Sequence, residues 1–202
     1  MGRLGGEIGV DPNVILATSH GRRSIDTLKL YDESKANWEY VNFIEGRIPF
    51  EYGQDAVEIP GARNVLDNLE QSGVPWAIVT SGTGALAGGW IQVMKLARPK
   101  NLVVAEDVSH GKPDPECYLM GRDRLALSST SSVLVVEDAP AGVRAGKAAG
   151  FKVLGLATTH DVQHLKDAGA DWIIRDLRSF VLKGWNEDKK VAEVEIRDAL
   201  TN

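Results

Sequence analysis

The 202-residue sequence has little cysteine, little excess charge and no long apolar run. A single cysteine, Cys117, cannot form an internal disulfide, which is typical of a reducing compartment. Basic residues number 23 and acidic residues 28, so a net charge of −5 creates no overall field that attracts nucleic acid or an anionic membrane. No apolar stretch approaches the roughly 18 residues of a transmembrane helix, and no signal-peptide core follows Met1. We therefore expect a cytoplasmic protein without a nucleic-acid or membrane partner.

Length and composition fit a folded protein with one domain, or one domain plus a small insert. Hydrophobic residues make up 43% of the chain and charged residues 25%, which excludes a disordered, collagen-like or coiled-coil protein.

Residues 1–58 show no strand pattern and predict helices. One begins at residues 11–12, where Pro follows Asp, and another covers residues 34–46. Pro49 is expected to mark the exit from this helical region.

Helices and strands alternate in the second region, from residue 59 to residue 202. This alternation predicts an α/β fold, a parallel sheet flanked by helices on both faces. At the tail, residues 180–182 and 191–196 predict an antiparallel hairpin. Short apolar runs predict the buried strands, at residues 76–79, 102–104, 133–136, 152–156 and 172–174.

The carboxyl ends of these strands should carry the site, because ligands bind at that edge of an open parallel sheet. Thr80, Ser81 and Gly82 follow the first strand, and hydroxyls with free backbone N–H groups at a helix start suit a bound phosphate. An ordinary strand-to-helix turn explains the same residues. Lys112 lies in the G-K-P-D-P segment of residues 111–115, where a lysine neutralises phosphate charge. The alternative is a surface lysine in a turn.

Two adjacent carboxylates, Glu137 and Asp138, follow the strand predicted at residues 133–136. Unpaired carboxylates at the end of a buried strand are costly, so we expect a cation partner. Carboxylate oxygens are ligands that suit Mg²⁺. Capping of the next helix by Asp138 is a second interpretation, and it is compatible with a bound metal.

A dinucleotide-binding site is a rival interpretation. Residues 82–87, G-T-G-A-L-A, fit the G-x-G-x-x-A fingerprint after a strand, and Glu106 follows the next strand. This interpretation gives no role to Lys112 or to the Glu137–Asp138 pair. The dinucleotide interpretation is therefore weaker than the interpretation as a phosphate and metal site.

Taken in order, three segments resemble the haloacid dehalogenase (HAD) superfamily of phosphohydrolases. Residues 78–82, I-V-T-S-G, are similar to the family's second motif, residues 111–115 to its third, and V-E-D-A-P-A-G at 136–142 to its fourth. The segments at residues 19–23 and 157–160 are similar to the fungal glycerol-phosphate and 2-deoxyglucose-6-phosphate phosphatases. The resemblance implies a Rossmann-like sheet and Mg²⁺-dependent hydrolysis of small sugar or polyol phosphate monoesters.

The resemblance assigns phosphate contacts to one set of residues and metal contacts to another. Lys112 would neutralise the phosphoryl group, Asp138 would bind Mg²⁺, and Glu137 would assist through a metal-bound water. The phosphoryl group itself would be held by residues after the first strand: Thr80, Ser81 and Gly82.

The resemblance also divides the chain into two domains. Residues 1–58 would form a partial helical cap that selects the substrate, and residues 59–202 would form the core. Three residues of this cap form its candidate specificity loop, namely His20, Arg22 and Arg23. For the two arginines, an exposed basic pair at a helix start is the alternative.

The family's first motif, Asp-x-Asp-Gly-Thr, has no counterpart in these 202 residues. In the family its first aspartate attacks phosphorus and its second protonates the leaving group. Its strand lies between the strands that end near Thr80 and Glu137, at the centre of the sheet. We therefore expect the first core strand to be absent and two half-sheets to remain, with Mg²⁺ binding weak or absent and the chain inactive.

Unpaired sheet edges are an aggregation liability, so we expect compensation. There are three ways in which this compensation could occur or fail. The two edge strands could pair directly, a second chain could cover them through self-association, or the edges could stay unpaired at a cost in stability. Three functional hypotheses follow. The chain is a family phosphatase shortened by a gene-model, splicing or cloning truncation, a non-catalytic pseudo-phosphatase that binds a phosphorylated ligand or partner, or a dinucleotide-binding oxidoreductase.

Overall fold

The computed structural model describes residues 20–201, and the helix expected at residues 11–12 lies outside this range. Two helices open the described chain, α1 (Ser24–Tyr31) and α2 (Trp38–Tyr52). Of the helices in residues 20–201, none is long and apolar enough to cross a bilayer. The elements that follow are α3 (Ala62–Ser72), β1 (Ile78–Val79), α4 (Gly84–Val93), β2 (Leu102–Val103), α5 (Glu116–Arg124), β3 (Leu134–Glu137), α6 (Pro140–Ala148), β4 (Lys152–Leu156), α7 (Val162–Asp167), β5 (Trp172–Ile174), β6 (Phe180–Asn186) and β7 (Val191–Ile196).

The parallel strands form two half-sheets. β1 pairs in parallel with β2, with Ile78 opposite Leu102. A separate sheet has the order β3-β4-β5, also parallel. These sheets confirm the α/β fold class and the predicted division of the sheet. Within residues 20–201 β1 and β3 do not pair, so direct pairing of the two edge strands, one of the three expected forms of compensation, is not found.

The predicted tail hairpin is confirmed. β6 and β7 are antiparallel, with Phe180 opposite Ile196 and a register shift between Leu182 and Gly184. The hairpin contacts α3. Phe180 is buried with Leu154 of β4, which attaches the hairpin to the core.

One apolar core joins the two half-sheets. Val103 of β2 is buried in the same cluster as Val135 of β3, Val153 of β4 and Ile173 of β5. These strands were predictable because parallel strands covered by helices form continuous apolar runs. Two apolar residues of these strands are exposed, Val136 of β3 at 41% and Trp172 at the start of β5 at 36%.

Helix α2 differs from the expected helix at both ends. Asn37 caps its start, where Oδ1 accepts the backbone N–H of Tyr40 at 2.9 Å. Pro49 was expected to mark the exit, but it is buried inside the helix, which continues to Tyr52. The reason is packing against α4, since a Cβ added to Gly89 would lie 2.8 Å from the Pro49 ring. This contact between helices outweighs the helix-breaking tendency of proline.

Asp171, immediately before β5, holds the start of β4. Its carboxylate accepts hydrogen bonds from the ammonium groups of Lys147 and Lys152, at 2.7 and 2.9 Å, and from the N–H of Val153 at 2.8 Å. Burial raises the pKa of Asp171, but these donors outweigh burial and lower the pKa to about 2. A carboxylate with a lowered pKa stabilises the fold above its ordinary pKa and stops doing so as the pH falls toward 2.

Asp171→Asn should therefore lower the free energy of unfolding by about 1–2 kcal/mol at neutral pH, because each pKa unit corresponds to about 1.4 kcal/mol and solvent screening reduces the total. The difference from the wild type should shrink as the pH falls from about 4 toward 2. Urea unfolding at neutral pH and near pH 3 measures both values. An equal loss at the two pH values would contradict a charge-based role.

Candidate active site

Lys112 lies between the carboxyl ends of the two half-sheets, in the turn before α5. The residue is 7% exposed, and its ammonium donates to Oε1 of Glu137 at 2.5 Å. The same ammonium donates to the backbone carbonyl of Val79 at 3.5 Å and lies 4.9 Å from the ring centre of Tyr118. One lysine thus connects the end of β1 with the end of β3.

Glu137, at the end of β3, accepts hydrogen bonds on both carboxylate oxygens. Oε1 accepts from Lys112 and from the Tyr118 hydroxyl at 2.9 Å, and Oε2 accepts from the N–H groups of Asp138 and Ala139 at 2.8 and 2.9 Å. Burial raises the pKa of Glu137, but the charge of Lys112 and these donors keep it below its ordinary value. Burial, followed by the charge of Glu137, raises the pKa of Tyr118 well above its ordinary value, so its hydroxyl remains a donor.

The loop after β1 lies against the start of the described chain. Ser81 Oγ donates to the carbonyl of Gly21 at 2.9 Å, and the N–H of Gly82 donates to Thr80 Oγ1 at 3.0 Å. Gly21 has a φ of +74°, and an added Cβ would lie 2.6 Å from the Cβ of Ala139. Gly21 therefore contacts both the loop after β1 and the loop after β3.

The N–H groups at the start of α4 are not free, which differs from the sequence expectation. The N–H of Thr83 donates to Oε2 of Glu45 at 2.8 Å, and the N–H of Gly84 donates to the carboxylate of Glu106 at 3.1 and 3.2 Å. Polar side chains satisfy these donors because the helix start is buried in the fold. Glu106 thus occupies the position that the rival interpretation reserves for a dinucleotide pyrophosphate.

Asp138 faces a group of polar side chains after β4. Its Oδ2 accepts the hydroxyl of Thr159 at 2.6 Å, and Nδ1 of His160 lies 3.2 Å from its backbone carbonyl oxygen. The ring of His160 meets the ring of His20 edge-on, with 4.9 Å between ring centres. His20 therefore reaches the same edge of the sheet as Asp138.

Arg23 does not join this group. It is 4% exposed, and its guanidinium donates to the carbonyls of Val108 and Ser109, at 2.6 and 3.0 Å, and pairs with Asp26 at 2.7 Å. Its donors hold the start of α1 against the chain after β2. Because Arg23 is buried while Arg22 is exposed, the two arginines do not form an exposed basic pair.

The predicted Mg²⁺ ligands do not form a complete metal site by themselves. Both oxygens of Glu137 carry hydrogen bonds, and Thr159 occupies Oδ2 of Asp138, so Oδ1 of Asp138 is the oxygen without a described donor. Residues 20–201 contain no group of three acidic, histidine or cysteine side chains placed to hold a metal ion. Because Mg²⁺ requires near-octahedral oxygen coordination, these residues alone do not fit it. Weak binding of Mg²⁺ stays a prediction.

Lys112 bonds both to Glu137 and to the carbonyl of Val79, two residues before Ser81, so the ends of β1 and β3 lie close together at this lysine. The roles assigned to Ser81, Lys112, Glu137 and Asp138 stay predictions. Sequence reasoning gave no role to several residues that hold them in place: Glu45, Tyr118, Thr159 and His160. Glu45 had a visible signal, since it falls on the same predicted helix side as Val41, where a carboxylate needs a buried donor. Thr159 and His160 lie in the segment 157–160 that carries part of the resemblance to the fungal phosphatases, but the resemblance gave neither residue a role. Tyr118 gave no pattern that separates it from ordinary helix residues.

A family model for haloacid dehalogenase-like hydrolases matches residues 18–156. The chain belongs to this family, and the resemblance read from its three motifs is confirmed. Members of the family that hydrolyse phosphate esters generally use Mg²⁺.

Curated relatives confirm the predicted branch of the family. Glycerol-1-phosphate phosphohydrolase 2 of Saccharomyces cerevisiae is 41% identical over 199 residues, which cover 94% of this chain and 79% of the relative. 2-Deoxyglucose-6-phosphate phosphatase 1 of the same yeast is 35% identical, with 93% and 84% covered. Hexitol phosphatase A of Escherichia coli is 34% identical, with 86% and 80% covered.

Solved structures share the fold. A hydrolase from Pseudomonas syringae superposes with a TM-score of 0.63 at 27% identity, covering 72% of this chain and 66% of that one. A HAD hydrolase from Entamoeba histolytica gives a TM-score of 0.66 over 84% of this chain and 79% of that one. At 20% identity the second likeness concerns the fold alone.

Replacing Lys112 tests how much the ion pair between Lys112 and Glu137 contributes to the free energy of unfolding. Lys112→Met leaves Glu137 buried without its cation, so the free energy of unfolding should fall by about 3–5 kcal/mol. Adding Glu137→Gln to that variant removes the unpaired charge and should restore part of the loss. Urea unfolding of the two single variants and the double variant measures the coupling. A loss below about 1 kcal/mol for Lys112→Met would contradict a tightly coupled pair.

Proposed function

We propose that this chain forms the phosphate-binding side of a phosphatase site for small sugar or polyol phosphate monoesters. The observation that carries the proposal is the position of Lys112, which contacts Glu137, next to Asp138, and the carbonyl of Val79, two residues before Ser81. Curated relatives named for glycerol 1-phosphate, 2-deoxyglucose 6-phosphate and hexitols support this substrate class.

Ser81 and Lys112 would supply the phosphate contacts. The Ser81 hydroxyl, which donates to the carbonyl of Gly21, turns toward a phosphate oxygen when the ligand enters. The ammonium of Lys112 neutralises the phosphate as a point charge, and the bond to Glu137 fixes the ammonium at the sheet edge. Thr80 and Gly82 shape the loop by their mutual hydrogen bond.

His20 and Arg22 would contact the sugar or polyol part of the ligand. Both are exposed, and His20 reaches the site through its contact with His160 above Asp138. Their donors suit the hydroxyl groups of a polyol. Because the guanidinium of Arg23 is already bonded to backbone carbonyls and Asp26, we assign Arg23 no ligand contact.

Residues 1–202 by themselves would bind phosphate esters without hydrolysing them efficiently. Covalent phosphoryl transfer needs a carboxylate in line with the leaving oxygen, and these residues contain no Asp-x-Asp segment. Glu137 does not replace the nucleophile, because both of its oxygens accept hydrogen bonds from protein donors. Non-catalytic ligand binding is therefore what we expect from this polypeptide alone.

Purified residues 1–202 should show no hydrolysis of p-nitrophenyl phosphate, glycerol phosphate or 2-deoxyglucose 6-phosphate above background when Mg²⁺ is present. Fusing an N-terminal strand that carries Asp-x-Asp-Gly-Thr should raise the rate by roughly a thousandfold or more, since loss of a nucleophile costs several orders of magnitude in other hydrolases. Release of inorganic phosphate measures both rates.

The matched control is the same fusion with Asn in place of the first aspartate of the motif, which should stay at background. Lys112→Ala in the active fusion should abolish turnover. Robust Mg²⁺-dependent turnover by residues 1–202 alone, lost in Asp138→Ala, would refute the account of the missing nucleophile.

A further inference from the structure

Glu45 is a buried carboxylate on α2 that connects three parts of the chain. It is 6% exposed, and both of its oxygens accept hydrogen bonds. Oε1 accepts from Ser24 Oγ at 2.5 Å, and Oε2 accepts from the backbone N–H of Thr83 at 2.8 Å. Glu45 therefore joins the first residue of α1 and the loop after β1 to α2.

The loop end that Glu45 contacts is buried and hydrogen-bonded. Thr83 is fully buried, and its Oγ1 accepts the N–H of Leu86 at 3.1 Å, which makes Thr83 the N-cap of α4. Ser81, the proposed phosphate contact, lies two residues before this anchor. Without Glu45 the N–H of Thr83 would be a buried donor without an acceptor, so the loop would have to shift.

The other oxygen of Glu45 holds the start of α1. Ser24 follows directly after Arg22 and Arg23, and Gly21 accepts the Ser81 hydroxyl from the same segment. Glu45 thus fixes the two segments that meet at Ser81, and it does so from α2, which packs along α4.

We propose that Glu45 is a positioning residue that sets the place of Ser81 for phosphate binding. This inference rests on the proposed function, because it assumes that Ser81 contacts phosphate. Glu45 contacts the loop through Thr83 and acts through geometry. A negative charge near a bound phosphate repels it, so a purely electrostatic role has the opposite sign.

Two substitutions at position 45 separate geometry from charge. Glu45→Gln keeps both hydrogen bonds, because its amide oxygen accepts from Thr83 N–H and its amide nitrogen donates to the Ser24 hydroxyl. Glu45→Leu removes both bonds and fills a similar volume. The probe is inorganic phosphate, titrated calorimetrically into residues 1–202 well below the unfolding temperature.

We expect Glu45→Gln to bind phosphate as well as the wild type or slightly better, and Glu45→Leu to bind about tenfold more weakly, a change of about 1.4 kcal/mol. Glu39→Leu is the matched control, since it removes an exposed carboxylate from the first turn of the same helix, and it should bind within twofold of the wild type. Equal tightening by both substitutions at position 45 would show a charge effect and overturn the proposal. Unchanged affinity in Glu45→Leu would overturn it as well.

Amide hydrogen exchange at Thr83 gives a second readout that does not need phosphate. Exchange should accelerate in Glu45→Leu and not in Glu45→Gln. If Glu45→Leu does not fold, Ser24→Ala, which removes one of the two bonds, should weaken phosphate binding several-fold, and unchanged affinity there refutes the proposal. A wild-type chain that does not bind phosphate refutes the proposed function, whereas Thr83 exchange still decides whether Glu45 holds the loop.

Discussion

The buried pair of Lys112 and Glu137 is the interaction on which the site depends. Two charges in the core lose their hydration, and the pair persists because Glu137 also accepts from the Tyr118 hydroxyl and from backbone N–H groups. The carboxylate lies over Gly142 at the start of α6, where a Cβ would overlap it. The ammonium of Lys112 is therefore held at a fixed place, directed at the carboxyl ends of β1 and β3.

The pair of Lys112 and Glu137 lies where the ends of the two half-sheets approach each other. β1 and β3 belong to separate sheets, and an apolar core joins those sheets below the site. At the carboxyl ends of these strands, Lys112 donates to Val79 of β1 and to Glu137 of β3. Gly21 contacts the loop after β1 and the loop after β3.

Much of this architecture could be predicted from the sequence, because parallel strands form apolar runs and site residues follow directly after them. Glu137 was found in this way, whereas Lys112 was singled out by its place in the G-K-P-D-P segment and the tail hairpin by its two apolar segments. The course of α2 through Pro49 could not be, because contact with Gly89 decides it. The burial of Arg23 likewise depends on carbonyls more than 80 residues away along the chain. Patterns within one segment do not reveal such long-range partners.

The central claim is that phosphate binds where the ends of β1 and β3 meet. The most direct test is a titration of ¹⁵N-labelled residues 1–202 with inorganic phosphate at low ionic strength, followed by amide chemical shifts. The account predicts saturable shifts concentrated at Ser81, Gly82, Lys112 and Asp138, and their loss in Lys112→Ala if that variant remains folded. Shifts confined to exposed basic positions such as Lys189 and Lys190, or no saturable shifts at all, would contradict it.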